Sequence, residues 1–317
     1  MSADFEIGNT LRTPVAFLIF NRPETTALVF TEIAKARPAK LLVVADGPRP
    51  DHPEDVEKCA ATRAIIDRVD WDCEVLRNFA DKNLGCKVRV SGGIDWVFSE
   101  VEEAIILEDD CLPHPSFFPF CAELLERYRE DERVMTISGL NLLGEWKSGN
   151  QSYFFSCLGG TWGWATWRRA WRHFDREIKS WPKARDLRTV ENLFPKPRQS
   201  SFWKDVFQKV YDGKIDTWDY QWLLAGWLQG AWGIAPHVNL VRNIGFGAGA
   251  THHQFEDDPL ANLPIEEMAF PLKHPSLMAR NLALDDALSE AYYSVKVDSI
   301  STRLKRKVGK LLVAGKG

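Results

Sequence analysis

A chain of 317 residues with 45% hydrophobic and 12% aromatic content can build one large or two small globular cores. Its mild formal net charge of −4 lacks the basic balance of a general nucleic-acid binder. The longest clean apolar stretches, such as Val15–Phe20, fall far short of the ~20 residues a membrane-spanning helix needs.

Residues 1–14 carry no charged segment followed by a long apolar run, so no signal peptide is expected. Six cysteines, Cys59, Cys73, Cys86, Cys111, Cys121 and Cys157, form no C-x-x-C pair and are too sparse for a disulfide framework. Reduced thiols and a cytoplasmic setting are expected.

The first half alternates strand-like and helix-like segments. Val15–Phe20 is a continuous apolar run, as in a strand buried on both faces. Asn21-Arg22 follow, and Pro23 at a first turn predicts a helix to about Ala36. Leu41–Asp46 is the next strand, with "GPRPDHP" as its loop and a helix near Asp55–Val69. Cys73–Phe79 reads as a strand, Cys86–Phe98 as a helix and Ala104–Leu107 as a strand. A helix from about Pro115 and a strand at Val134–Gly139 complete this half.

That rhythm predicts an α/β fold with a mostly parallel, Rossmann-like sheet and helices on both faces. Ligands of such sheets bind beyond the carboxyl ends of the strands. Asn21 and Arg22, Asp46, and Glu108-Asp109-Asp110 each follow a strand, so three polar clusters are expected on one rim. The second half is rich in tryptophan and reads as helical near Phe202–Tyr211 and Trp218–Gly230. No low-complexity linker separates the halves. The expected organisation is a ligand-binding α/β half over residues 1–140 and an aromatic-rich half of the same domain over 141–298. Residues 299–317 form a basic tail.

Four motifs carry chemistry. The triplet Glu108-Asp109-Asp110 ends a buried strand, where like charges repel. A Mn2+ or Mg2+ ion that bridges carboxylates to phosphate oxygens would explain it; a solvated turn before a helix would also place acids there. No G-x-x-x-x-G-K-[ST] loop accompanies it, which argues against a P-loop nucleotidase. "GGTWGWATWRRAW" sets Trp162 and Trp164 among glycines. In an extended strand the two rings share one side, where they could stack on a sugar, although tryptophans this dense are ordinarily core. "DTWDYQW" places Asp219 beside Trp218 and Trp222. Partial desolvation would raise such an acid towards a working base; the plainer role is helix capping, with Asp216 as the cap. Lastly, "GFGAGATHHQF" is a glycine-containing loop with His252 and His253, suited to closing over a ligand.

In this order the segments resemble the nucleotide-sugar glycosyltransferases of the GT-A fold, and most of all the inverting N-acetylglucosaminyltransferase I family and its bacterial relatives. The likeness spans roughly Pro14 to Phe255 and rests on "FNRP", Glu108-Asp109-Asp110, "WGWATW", "SWPK", "TWDYQW" and "GFGAGATHHQF". It implies that Asp110 holds a Mn2+ or Mg2+ ion, with Glu108 and Asp109 near the ribose and diphosphate. It implies that Asn21 and Arg22 lie on the phosphate side, Asp46 at the uracil or ribose, and Lys82 at the nucleotide. Asp219 would be the base, His252 would lie on the closing loop, and Trp162, Trp164 and Trp222 would line the acceptor.

The implied partners are a nucleotide-sugar donor, with UDP expected, and a glycan or lipid-linked oligosaccharide acceptor, as in bacterial surface polysaccharide synthesis. The Lys- and Arg-rich pattern of residues 299–317 would suit peripheral contact with an anionic membrane, or equally a solvated terminus. A sugar-nucleotide-forming nucleotidyltransferase should show a glycine-rich loop after the first strand, which "FNRPETT" lacks. A non-catalytic carbohydrate-binding protein would need neither the acid triplet nor Asp219.

Overall fold

The computed structural model describes residues 10–147, 149–245 and 262–293. His252 and the basic tail lie outside the described residues. Chain order is β1 (Val15–Ile19), α1 (Pro23–Ala36), β2 (Lys40–Ala45), α2 (Glu54–Ala64), β3 (Glu74–Phe79), α3 (Cys86–Glu100), β4 (Glu103–Glu108), β5 (Cys111–Pro113), α4 (Phe117–Arg127) and β6 (Val134–Ser138). Then follow β7 (Tyr153–Ser156), β8 (Trp164–Trp167), α5 (Arg168–Trp171), α6 (Trp181–Asp186), α7 (Thr189–Leu193), α8 (Pro197–Tyr211), α9 (Asp219–Leu228), β9 (Trp232–Pro236) and β10 (Val241–Asn243). A last described helix spans 282–293.

Eight strands form one sheet in the order β3-β2-β1-β4-β8-β6-β9-β7. β1 to β4 are mutually parallel, β8 runs against both β4 and β6, and β9 is parallel to β6 while β7 opposes it. The architecture is thus α/β with a mostly parallel, Rossmann-like sheet, as the sequence predicts. Strand β8 is the hinge of the topology: it comes from beyond residue 140 yet sits between β4 and β6. The aromatic-rich half is therefore woven into the sheet of the first half.

Alternation along the strands divides the core between the two faces. Phe17, Leu41 and Val43 pack with Val29, Phe30 and Ile33 of α1 and with the phenylalanines of α4. Ala16, Leu18, Leu42 and Val44 pack against Ile94 and Val97 of α3 and against Trp164, Trp171, Trp218 and Trp222. Helix α3 crosses β2 so closely that a Cβ on Gly93 would stand 2.4 Å from a Val44 methyl. A third cluster joins α6, α8 and α9 around Trp181, Trp203, Phe207 and Trp227.

The tryptophan-rich strand departs from expectation. Gly163 has φ +60°, a left-handed conformation that breaks the extended alternation. Trp162 consequently packs beside one cluster and Trp164 within the other, so the rings do not share a side.

Candidate active site

The parallel register of β1, β2 and β4 brings their carboxyl ends to one rim. Leu18 pairs with Glu108 in register, which sets the acid triplet beside the residues that follow β1. There the three acids diverge. Asp109 turns inward and accepts the Phe20 backbone N–H at 2.9 Å, while Asp110 turns to Arg22, whose Nη1 donates to its Oδ2 at 2.8 Å. Arg22 Nη1 also stands 3.8 Å from Asp109. The cation that offsets the triplet in the polypeptide itself is thus Arg22.

Offset is partial. Burial, then the neighbouring charges of Asp110, Asp109 and Asp219, push the Glu108 carboxyl well above the usual carboxylate range. Burial and Asp110 raise Asp109 to about 7, against the pull of Arg22 and the Phe20 N–H. Burial opposes the charge on Arg22, but Asp109 and Asp110 outweigh it and raise its pKa. The Cys86 thiol, at the start of α3, is raised by burial and then by Glu108, Asp219, Asp216 and Asp110. One thiol therefore feels four carboxylates, drawn from the end of β4, the turn after it, the approach to α9 and the first residue of α9.

Asp219 is the first residue of α9. Its Oδ1 accepts the Thr217 hydroxyl and, at 2.9 Å, the Tyr220 backbone N–H. Its Oδ2 makes no hydrogen bond or ion pair among the described residues. The expected cap, Asp216, instead faces α3: its Oδ2 lies 3.6 Å from where a Cβ on Gly85 would stand.

The short antiparallel pair of β5 and β10 brings a second loop to the site. Ile244 donates its N–H to the Asp110 carbonyl at 2.7 Å, and Gly245 follows directly against the ion pair. A Cβ there would stand 2.3 Å from Asp110 Oδ2 and 2.9 Å from Arg22 Nη1. The glycine-containing loop thus departs from the metal candidate itself.

Other expected contacts have structural duties. Asp46 is buried and its two oxygens accept the N–H groups of Gly47, Leu84 and Gly85 and the Asn83 side chain, at 2.8–3.2 Å. A carboxylate has about four acceptor positions, so Asp46 is filled as a staple of the loop before α3 and has none left for a uracil or ribose. Asn21 donates to buried Asp55 at 2.7 Å, and Asp55 also accepts Arg49 Nε at 2.6 Å. Lys82 is exposed, with no ion pair among the described residues, and its backbone packs on Gly47.

Two acceptor candidates are corrected. Trp164 is wholly buried, and Trp222, 3% exposed, donates its indole N–H to the Thr136 hydroxyl at 2.9 Å. They pack against each other and against Trp171, so neither offers a face to a sugar. Half-buried Trp162 alone of the three reaches the surface.

Sequence reasoning missed the pairing of Asp55, in the first turn of α2, with Arg49 of the loop before it, and missed that Asp216 faces α3. Among the described residues no group of three or more His, Cys, Asp or Glu side chains forms a cage for a metal ion. The donor set fits another kind of site. Mg2+ and similar ions bridge one or two carboxylates to substrate phosphates, and Asp110 is half-buried, its Oδ1 accepting among the described residues a hydrogen bond from the Cys111 thiol alone, at 3.5 Å.

No family model matches the chain, and no curated protein does. The likeness to the N-acetylglucosaminyltransferase I family therefore stands on the sequence motifs alone. Two solved structures show a remote likeness. One is the mannosyltransferase PcManGT from Pyrobaculum calidifontis in complex with GDP-Man and Mn2+, at 13% identity over 71% of this chain and 72% of that one, with TM-score 0.38. The other is a UDP-glucose pyrophosphorylase complexed with UDP-glucose, at 10% identity over 72% of this chain and 92% of that one, with TM-score 0.35.

Proposed function

We propose that this chain is a metal-dependent, inverting GT-A glycosyltransferase that moves a sugar from a nucleoside diphosphate to a hydroxyl of a glycan or glycoconjugate. UDP is the first nucleotide to test. What supports this reading is that Asp219, with Oδ2 unengaged among the described residues, adds its charge to those of Asp110 and Asp109 in raising Glu108, beside the Asp110–Arg22 pair. Such an arrangement combines a charged end for a metal–diphosphate group with a separate carboxylate for proton removal.

Asp219 Oδ2 takes the proton of the acceptor hydroxyl. That oxygen forms its bond to the anomeric carbon from the face opposite the nucleotide. The bond from that carbon to the diphosphate oxygen breaks, its electron pair leaving with the diphosphate, and configuration inverts. A Mn2+ or Mg2+ ion held by Asp110, when bound, supplies positive charge to the departing diphosphate. Arg22 holds Asp110 in place and adds its own charge, and Asp46 fixes the loop that leads into α3. The proposed setting is bacterial surface polysaccharide synthesis in the cytoplasm, with peripheral membrane contact through residues 299–317. No helix among the described residues is long and apolar enough to cross a membrane.

Titration calorimetry of UDP with and without Mn2+ tests the donor site, on the full chain and on Asp110→Ala. Metal-dependent binding lost in Asp110→Ala is the expected result. Absence of binding to UDP and then to GDP, CMP and dTDP, under every metal condition, would overturn it. With a donor in hand, Asp219→Asn should keep nucleotide affinity and lose transfer by ~100-fold or more; retained transfer would remove Asp219 as the base.

A further inference from the structure

The last described helix, 282–293, is fastened along its length. Asn281 caps it, accepting the Leu284 N–H at 3.0 Å. Asp285, 2% exposed, accepts the Ser156 hydroxyl at 2.5 Å and the Cys157 N–H at 3.1 Å, and pairs with Arg280. On the outer side Asp286 pairs with Lys196, Glu290 with Arg198, and Arg198 stacks on Tyr293 at 3.8 Å.

Leu284 and Leu288 bury one stripe of the helix in the third cluster, and Tyr292 is the next residue on that stripe. Its ring lies 5.7 Å from Trp203, which in turn meets Tyr220 edge-on at 6.3 Å. Tyr220 is the residue after Asp219. The helix thereby sets Tyr292 on Trp203, the same ring that meets the residue after the base candidate.

With Trp164 and Trp222 buried, half-buried Trp162 is what remains of the three expected acceptor tryptophans. We propose that Tyr292 is an acceptor-binding residue, its half-buried ring forming with Tyr220 the wall on which an acceptor sugar lies beside Asp219. The assignment rests on the transferase reading above. Sugars present apolar C–H faces, and a tyrosine offers a flat apolar body with a polar tip. Tyr292 is half-buried and its hydroxyl has no hydrogen-bond partner among the described residues. Burial first, then the charge of Asp219, raises the pKa of both tyrosine hydroxyls, so both stay protonated.

The test uses the full chain with Mn2+ and UDP and a panel of p-nitrophenyl hexosides and N-acetylhexosaminides, followed by saturation-transfer NMR. At least one glycoside should receive saturation at its sugar C–H protons. Tyr292→Ala should weaken its binding by about tenfold, and Tyr292→Phe should preserve it. Tyr292→Leu keeps apolar volume against Trp203 without the ring, and carries the test if Tyr292→Ala does not fold. The proposal is overturned if no glycoside binds the wild type, if the ring-less variants bind as well as it does, or if they lose UDP affinity in parallel. Tyr292-dependent glycoside binding in a protein that binds no nucleotide would sink the transferase reading and leave this one standing.

Discussion

Replacing Asp55 by Asn removes a charge while keeping the side chain's shape. The carboxylate is 0% exposed and accepts Arg49 Nε at 2.6 Å, Arg49 Nη2 at 3.0 Å and Asn21 Nδ2 at 2.7 Å. These bonds tie the loop after β2 to the loop after β1. The Arg49 hydrogen bond, the largest cause, outweighs burial and holds the carboxyl at about 2, below its ordinary 3.8. That difference corresponds to about 2 kcal/mol, and screening at Arg49, itself 38% exposed, trims it to about 1–2 kcal/mol. The sign follows from the depressed pKa: the contribution is complete above the unfolded value and is lost as pH falls through the folded one. Urea denaturation should therefore find Asp55→Asn less stable by about 1–2 kcal/mol at pH 7, roughly 2–3 °C in melting temperature for a chain of this size. The gap should hold down to about pH 5 and shrink to roughly half by about pH 3. A gap independent of pH between those limits, or none at pH 7, would refute the reasoning.

Gly245→Ala forces a Cβ into the space of Asp110 Oδ2, 2.3 Å away. Metal-dependent nucleotide affinity should fall on the order of tenfold or more by calorimetry, with melting temperature unchanged; unchanged affinity would separate the loop from the site. Gly93→Ala drives a methyl to 2.4 Å from Val44 and should cost about 1–3 kcal/mol in urea unfolding. A neutral outcome there would mean that α3 can lift from β2.

The rim was legible because its logic is local. A buried apolar run that ends in polar residues marks the carboxyl end of a strand, and three such runs with helical segments between them imply one edge. The division of labour on that edge was not legible. Asp46 and Arg22 look alike in the sequence as polar residues after strands, yet one is consumed by the N–H groups of residues 84 and 85 and the other by Asp110. Their partners lie 38 or more residues away, set by how loops pack and not by pattern. The tryptophans misled for a related reason. Alternation assumes an unbroken strand, and the positive φ of Gly163 turns Trp164 to the opposite face. The capping choice failed by two residues: Trp218 stands at the cap position, Asp219 opens the first turn with the Thr217 hydroxyl and the Tyr220 N–H, and Asp216 faces Gly85.

The charge balance of the rim bears on the order of binding. Glu108, Asp109, Asp110 and Asp219 gather against a single bonded guanidinium, that of Arg22, among the described residues. Burial raises the pKa of the two innermost acids, Glu108 and Asp109, and the charge of Asp110 raises both further. A diphosphate that approached this edge unaided would meet charge of its own sign, and at ~4 Å and an effective dielectric of ~20 each like pair costs about 4 kcal/mol. A divalent cation held by Asp110 would reverse that sign for the diphosphate and, by offsetting the charge of Asp110, would lower the pKa of Glu108 and Asp109. Metal and nucleotide should therefore bind as a unit, each weak alone, with protons released as the acids ionise. Calorimetry in two buffers of different ionisation heat reads that release directly. Tight nucleotide binding without metal and without proton release would place the diphosphate away from Asp110, on some other part of the rim.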